Sequence, residues 1–219
     1  MSRNFSPFFK SLGGRYKRIR KCCKGTPDPD WYNYKLGRLR ELESLNQQGA
    51  INLFYGDESH VCSEGYVPYG WQFKDEDVSI KVERRFRLNC FALIDRKSEC
   101  HWTSSLGNID SKFVCNYLDK FSMTINKETF IVLDNASVHR SKLMKERIIE
   151  WESRGLFIFF LPTYSPHLNI AETIWRKLKK EWLRPEDYVD ADSLAYATTQ
   201  CLMNLGSMLK INYCEFKIT

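Results

Sequence analysis

FIVLDNASVHRSKLMKERIIEWESRGLFIFFLP, residues 130–162, decides the fold. Its two ends, FIVLD (130–134) and LFIFFLP (156–162), are compact apolar runs of buried-strand length. Between them KLMKERIIEWESRG reads as a helix closed by Gly155. Two buried strands joined by a helix pair in parallel, because a parallel connection needs a crossover. Downstream, the loop TYSPHLN leads into IAETIWRKLKKEWL, where Ile170, Ile174, Leu178 and Trp182 recur at helical spacing with Trp175 beside them. A last helix is predicted over roughly Ser193 to Leu209. Upstream, SKFVCNYLDKF has helical periodicity. RFRLNCFALID and ECHWTSS read as strands meeting at the turn Arg96-Lys97-Ser98, and YVPYGW as an aromatic strand or hairpin arm. INLFYGDE reads as a first strand ending in acids. Strands in succession, then strands alternating with helices, predict an α/β fold with a mixed β-sheet flanked by α-helices.

Of the 219 residues, 43% are hydrophobic and 14% aromatic, enough for one sizeable core. A mean hydropathy of -0.45 fits a soluble globular protein, and no apolar run approaches the length of a membrane-spanning helix. The N-terminus has basic residues but no apolar segment followed by a cleavage site, so a cytoplasmic protein is expected. The formal net charge is +6, but residues 1–27 alone contribute +8 and the remainder −2. The positive charge therefore belongs to an N-terminal arm (Arg15, Lys17, Arg18, Arg20, Lys21, Lys24). Such a block can contact phosphates or simply be solvated. Eight cysteines form no CxxC pair, so reduced thiols are expected rather than a zinc site or disulfides.

The chain divides at about residue 48. Residues 1–48 read as a basic arm or linker followed by one amphipathic helix, YKLGRLRELESLNQQG, with Leu36, Leu39, Leu42 and Leu45 every third residue. GTPDPD (25–30) is expected to break regular structure before it. Residues 49–219 form the domain with the sheet.

Three acids sit at the ends of core elements in this reading. Asp57 closes the first strand, Asp134 closes FIVLD, and Glu172 opens the helix after LFIFFLP. Strand ends are where ligand sites form in such sheets. Converging carboxylates suit hard divalent ions, and two such ions serve in-line displacement at phosphorus. Each acid also has an ordinary explanation. Asp57 and Asp134 fit Asx turns, and Asn169-x-x-Glu172 fits a capping box. Spacing alone leaves both readings open.

The residues around the acids carry a resemblance. GDESH…GYVPYGW (56–71), IVLDNASVHRSK (131–142) and LPTYSPHLNIAETIWRKLKKEWL (161–183) together resemble the DDE transposases of the mariner-like superfamily, above all its bacterial insertion-sequence branch. The likeness covers roughly residues 15–185 and is most specific in Tyr164-Ser165-Pro166, Leu168-Asn169, Glu172 and Trp175. Ile170-Ala171 and His167 depart from the family's usual residues. The resemblance implies a ribonuclease-H-like fold and two Mg²⁺ or Mn²⁺ ions on Asp57, Asp134 and Glu172. It also implies cleavage and transfer of DNA strands at transposon ends, with Asn135 and Asn169 orienting the ligands. Relatives carry paired helix-turn-helix modules ahead of the catalytic domain, and here only FSPFFKSLGGRYKRIRK looks like the remnant of one. A catalytic-domain fragment is therefore expected, with DNA as partner and either a homodimer or an upstream helix-turn-helix polypeptide. Two other readings remain: a catalytically idle DNA-binding or transposase-partner remnant, and a cellular nuclease of the same fold.

Ser137, His139 and Asp134 invite a hydrolase triad, but no GxSxG turn is present and His139 is expected to fix the loop or meet phosphate. The tryptophans are expected in the core more than on bases. Arg176, Lys177, Lys179 and Lys180 are expected to face away from the apolar stripe, toward DNA or solvent.

Overall fold

The computed structural model describes residues 11–12, 28–63 and 86–213. Helix α1 (Pro29–Gln47) starts within the segment expected to break structure. Asp28 is its N-cap, accepting from the backbone N–H groups of Asp30 and Trp31 at 2.9 and 3.2 Å. Pro29 at the first helical position lacks only an N–H that would be unpaired there anyway, and Asp30 complements the dipole. Aspartate and proline here start a helix rather than break one. Gly49 (φ 74°) ends the turn that follows. A leucine every third residue drifts about 60° backwards per step on a 3.6-residue helix. Accordingly Leu39 and Leu42 are buried while Leu45 has rotated out to 39% exposure.

Five strands follow: β1 (Asn52–Cys62), β2 (Arg87–Ile94), β3 (Cys100–Ser105), β4 (Thr129–Leu133) and β5 (Leu156–Phe160). They form one sheet in the order β3-β2-β1-β4-β5. The β1–β2 and β2–β3 pairs are antiparallel and β1–β4 and β4–β5 parallel, so the mixed sheet expected from the sequence is observed. Helices α2 (Ser111–Ser122) and α3 (Lys142–Glu152) supply the crossovers, and Gly155 (φ 84°) closes the turn after α3. Helix α4 (Glu172–Lys177) runs into a wider π-helical turn (Leu178–Trp182). Helix α5 (Ala191–Met203) opens on Asp190, whose side chain accepts from Ser193 N at 2.7 Å. It stops six residues before the expected Leu209, where the chain turns through Gly206 (φ 88°). A Cβ at Gly206 would lie 2.6 Å from the Ser98 carbonyl oxygen.

Alternate strand residues point to opposite faces. Leu53, Tyr55, Cys90, Ala92, Ile94 and Val132 pack with α1, α4 and α5. Phe54, Phe91, Leu93, Ile131 and Leu133 pack with α2 and α3. The sheet is thus the middle of three layers, which explains why its central strands read as continuous apolar runs.

One expectation about β1 is corrected. Asp57 does not end the strand, which runs on to Cys62. Only Asn52–Tyr55 pair with β4, whereas Tyr55–Cys62 pair with β2. Beyond Tyr55 one side of β1 has lost its parallel neighbour, so Asp57 lies mid-strand yet on an open flank. The predicted YVPYGW arm and the FSPFFKSLGG helix lie outside the described residues, apart from Ser11 and Leu12. The five described cysteines (62, 90, 100, 115 and 201) are free. Among the described residues no helix is long and apolar enough to cross a membrane.

Candidate active site

Residue parity along the strands builds the site. Asp57 follows Leu53 and Tyr55 by twos, and Asp134 follows Val132 by two, so both acids belong to the sheet face that packs against α4. Asp134 is the first residue past β4. Glu172 is the first residue of α4. The three acids line one cavity of about 360 Å³, together with Asn135, Arg140 and the TYSP loop. In that loop Tyr164 takes φ 57°, an uncommon conformation for a residue with a side chain.

Asn169 is not the capping-box residue its spacing suggested. The residue before α4 is Ala171, which offers no side-chain cap. The buried Asn169 instead donates from Nδ2 to the Gly56 carbonyl at 2.9 Å and accepts from Ala171 N at 3.1 Å. One amide therefore ties the backbone beside Asp57 to the start of the helix that presents Glu172. Gly56 leaves no room for anything larger on the opposite face, where a Cβ would lie 2.6 Å from Leu133 Cδ2. Asn135 donates to the Leu161 carbonyl, holding the loop after β4 to the end of β5.

Trp175 buries its ring, as expected, but its indole N–H also donates to Asp57 Oδ2 at 2.9 Å. Sequence reasoning missed this contact, because 118 residues separate the partners and no periodicity links them. Trp151 is likewise buried, its Nε1 donating to Asp119 at 2.7 Å. The basic residues of the last block are not turned outward as a group. Arg176 and Lys177 pair with Glu181, while Lys179 reaches back to donate to Ser59 Oγ at 2.7 Å on β1. The π-helical turn widens the helix there, which shifts Lys179 off the register that the α-helical period predicts.

His139 is buried. Its Nδ1 donates to Asp134 Oδ1 at 2.9 Å, and Nε2 lies 3.4 Å from Glu58 Oε2, an ion-pair distance without hydrogen-bond alignment. Burial opposes its charge, but the two acids outweigh that and push it up to about 9. Asp134 is held below its ordinary value. Burial would raise it, but the bonds from His139 and the Ala136 N–H prevail. No hydrogen bond links Ser137 to His139 among the described residues, so His139 fixes the loop and no serine relay exists there.

Asp57 behaves oppositely. Burial, then the neighbouring charges of Glu58, Glu172 and Asp134, push its carboxyl up to about 8, and the Trp175 bond only partly opposes them. Glu172 is raised as well, by burial and by Asp134. A hard cation would relieve this uncompensated charge, and the donors are all oxygens, so the residues fit such an ion chemically. Among the described residues, however, no three metal-ligating side chains stand at mutual ligating distance. The acids are walls of the cavity rather than a closed cage.

Among solved structures, the chain is similar to the Mos1 transposase in its paired-end complex with the left transposon end. The TM-score is 0.52 at 10% identity, covering 92% of this chain and 66% of that one. It is also similar to a chain of the simian T-cell lymphotropic virus intasome in complex with PP2A regulatory subunit B56 gamma. There the TM-score is 0.50 at 12% identity, covering 74% of this chain and 51% of that one. No curated protein sequence matches. At such identities the likeness speaks for the fold, which is ribonuclease-H-like: a mixed five-stranded sheet with flanking helices. The family described as DDE superfamily endonuclease matches residues 52–195, and the chain belongs to that family.

Proposed function

We propose that this chain is a DNA transposase of the mariner-like superfamily, in its bacterial insertion-sequence branch, and that Asp57, Asp134 and Glu172 are its catalytic and metal-binding residues. The observation that carries the reading is the shared cavity of the three acids, with the half-buried Asp57 pushed up to about 8 by loss of solvent and by its acidic neighbours. Perturbed carboxylates in a cleft mark functional sites more often than structural ones. The three carboxylates would hold two Mg²⁺ or Mn²⁺ ions. When bound, such ions activate the attacking oxygen and stabilise the leaving one.

The chemistry is polynucleotidyl transfer. Water attacks the scissile phosphorus, a new P–O bond forms, and the bond to the 3′ oxygen breaks to leave a 3′-hydroxyl. That hydroxyl then attacks a phosphorus of target DNA, again forming one P–O bond and breaking one. Asn169 and Asn135 keep the acid-bearing backbone in place, and His139 orients Asp134. Residues 49–219 form the catalytic domain. Residues 1–48 comprise the basic N-terminal stretch and the helix α1. DNA is the partner, in the cytoplasm, as a homodimer or with a separate helix-turn-helix polypeptide.

The test is nicking and strand transfer on DNA with and without Mg²⁺ or Mn²⁺, for the wild type and Asp134→Asn. Metal-dependent activity that the variant lacks supports the reading; equal activity in both overturns it. A second reading is a catalytically idle DNA-binding protein of the same fold. That reading predicts DNA binding with no nicking under any metal.

A further inference from the structure

A second cavity, of about 520 Å³, opens beyond Asn135 and Arg140, which also line the acid-bearing cavity. Its other walls are Ser137, His139, Lys145 and Phe160. The cations here differ from their neighbours on α3. Lys142 pairs with Glu146, and Arg147 pairs with Asp119 and Glu150. Arg140 and Lys145 are exposed, and among the described residues no carboxylate lies within ion-pair distance of either. The first turn of α3 also carries no acid, so nothing there offsets the positive end of its dipole. Two exposed cations beside the positive end of a helix make a surface that favours an anion. Phe160, the last residue of the edge strand β5, adds a half-buried ring to the same wall.

We propose that this second cavity holds the DNA strand adjoining the scissile phosphate in single-stranded form, its phosphates on Arg140 and Lys145 and a base against Phe160. Cations that track a backbone, interleaved with an aromatic face, are the usual means of holding unpaired nucleic acid. Asn135 and Arg140 stand in the walls of both cavities, so the cations lie next to the acid-bearing cavity and within reach of a strand that leaves it. The inference rests on the reading of the chain as an enzyme acting on DNA.

The experiment is fluorescence anisotropy of a labelled short oligothymidylate and of a duplex of equal length. Both are titrated with the full chain in Ca²⁺ at several salt concentrations between about 50 and 200 mM. The variants are Arg140→Gln/Lys145→Gln, Phe160→Leu, and Lys112→Gln/Lys120→Gln, which removes the same charge from α2. The groove pair is expected to lose about tenfold in affinity for the oligothymidylate. Its salt slope becomes shallower by about 1.4, or roughly 0.7 for each lost phosphate contact. Phe160→Leu weakens the single strand about fivefold and leaves the duplex unchanged, since stacking needs an unpaired base. The α2 pair binds as the wild type does. Equal losses in the groove and α2 pairs, or a Phe160→Leu that binds both DNAs normally, would overturn the proposal. If wild-type nicking still depends on Asp134 in that case, the transposase reading survives. A wild type that neither binds nor nicks DNA sinks both.

Discussion

Two acidic sites, one buried and one half-buried, hang from the same strand two residues apart, and they solve opposite problems. At Tyr55, the side chain of β1 reaches Glu43 of α1, which is only 2% exposed. Glu43 is fully answered: the Tyr55 hydroxyl donates to it, and Arg96 bonds both its oxygens at 2.7 and 2.8 Å. At Asp57 three acids, Glu58, Glu172 and Asp134, crowd the site, opposed by one indole N–H and by the more distant charge of Lys179. The first site spends its charges on tying a helix to the sheet. The second leaves charge uncompensated, which costs stability and creates affinity for a cation. A buried carboxylate by itself is therefore uninformative, and its partners decide whether it serves the fold or the chemistry.

The largest effect separates the two sites by activity. Asp134→Asn is expected to lower metal-dependent nicking by about 1000-fold, equivalent to about 4 kcal/mol at 1.36 per tenfold, with the fold retained although the buried His139 loses a charged partner. A variant that unfolds instead would make Asp134 a structural residue like Glu43. Next, Arg96→Met strands the Glu43 charge. Removing one member of a buried pair costs about 3 kcal/mol, or roughly 6–12 °C in Tm at this chain length. Per-molecule nicking by the protein that remains folded should be unchanged.

Asp57→Asn carries a smaller, pH-dependent signature in metal-free protein. A carboxyl raised in the folded state binds its proton more tightly there than in the unfolded chain. Stability is therefore lost as pH rises from about 4 towards about 8. His139, raised to about 9, has the same sign: its contribution is full below about 6.5 and disappears as pH passes 9. Urea midpoints of the wild type should fall between about pH 5.5 and 8.5. Asp57→Asn should flatten part of that slope and raise the midpoint at the alkaline end. An unchanged slope would mean that Asp57 is not the strained group. The smallest effect belongs to Trp175→Phe, which keeps an aromatic, though smaller, ring in the core and deletes the N–H to Asp57. A lost bond to a charged acceptor is worth about 1.5 kcal/mol, so roughly tenfold weaker activity with an intact fold is expected.

Much of the sheet was legible because its signals are local. FIVLD read as a buried strand from composition; LFIFF read as a strand too, but as the sheet edge it buries only Leu156 fully. Gly155 marked a helix end correctly because a positive φ is needed there. Asp28 and Pro29 misled, since the same residues that build turns also start helices. Asp57 as a strand end failed for a nonlocal reason. Whether β1 continues depends on β2, whose pairing with it the residues around Asp57 do not encode. The acids themselves stood out through their surroundings, but their wiring did not. The Trp175 bond, the Asn169 bridge and the reach of Lys179 to Ser59 all join elements more than a hundred residues apart. Only the folded chain brings such pairs together.

The most direct measurement is a calorimetric titration of the chain with Mn²⁺ at pH 7 in two buffers of different ionisation enthalpy. The account predicts binding that releases up to about one proton, because Asp57 is still largely protonated there and must ionise to ligate. Both the binding and the proton release should be lost in Asp57→Asn. Mn²⁺ binding of equal strength in the variant, or no binding by the wild type, would contradict the claim that these acids form a metal site.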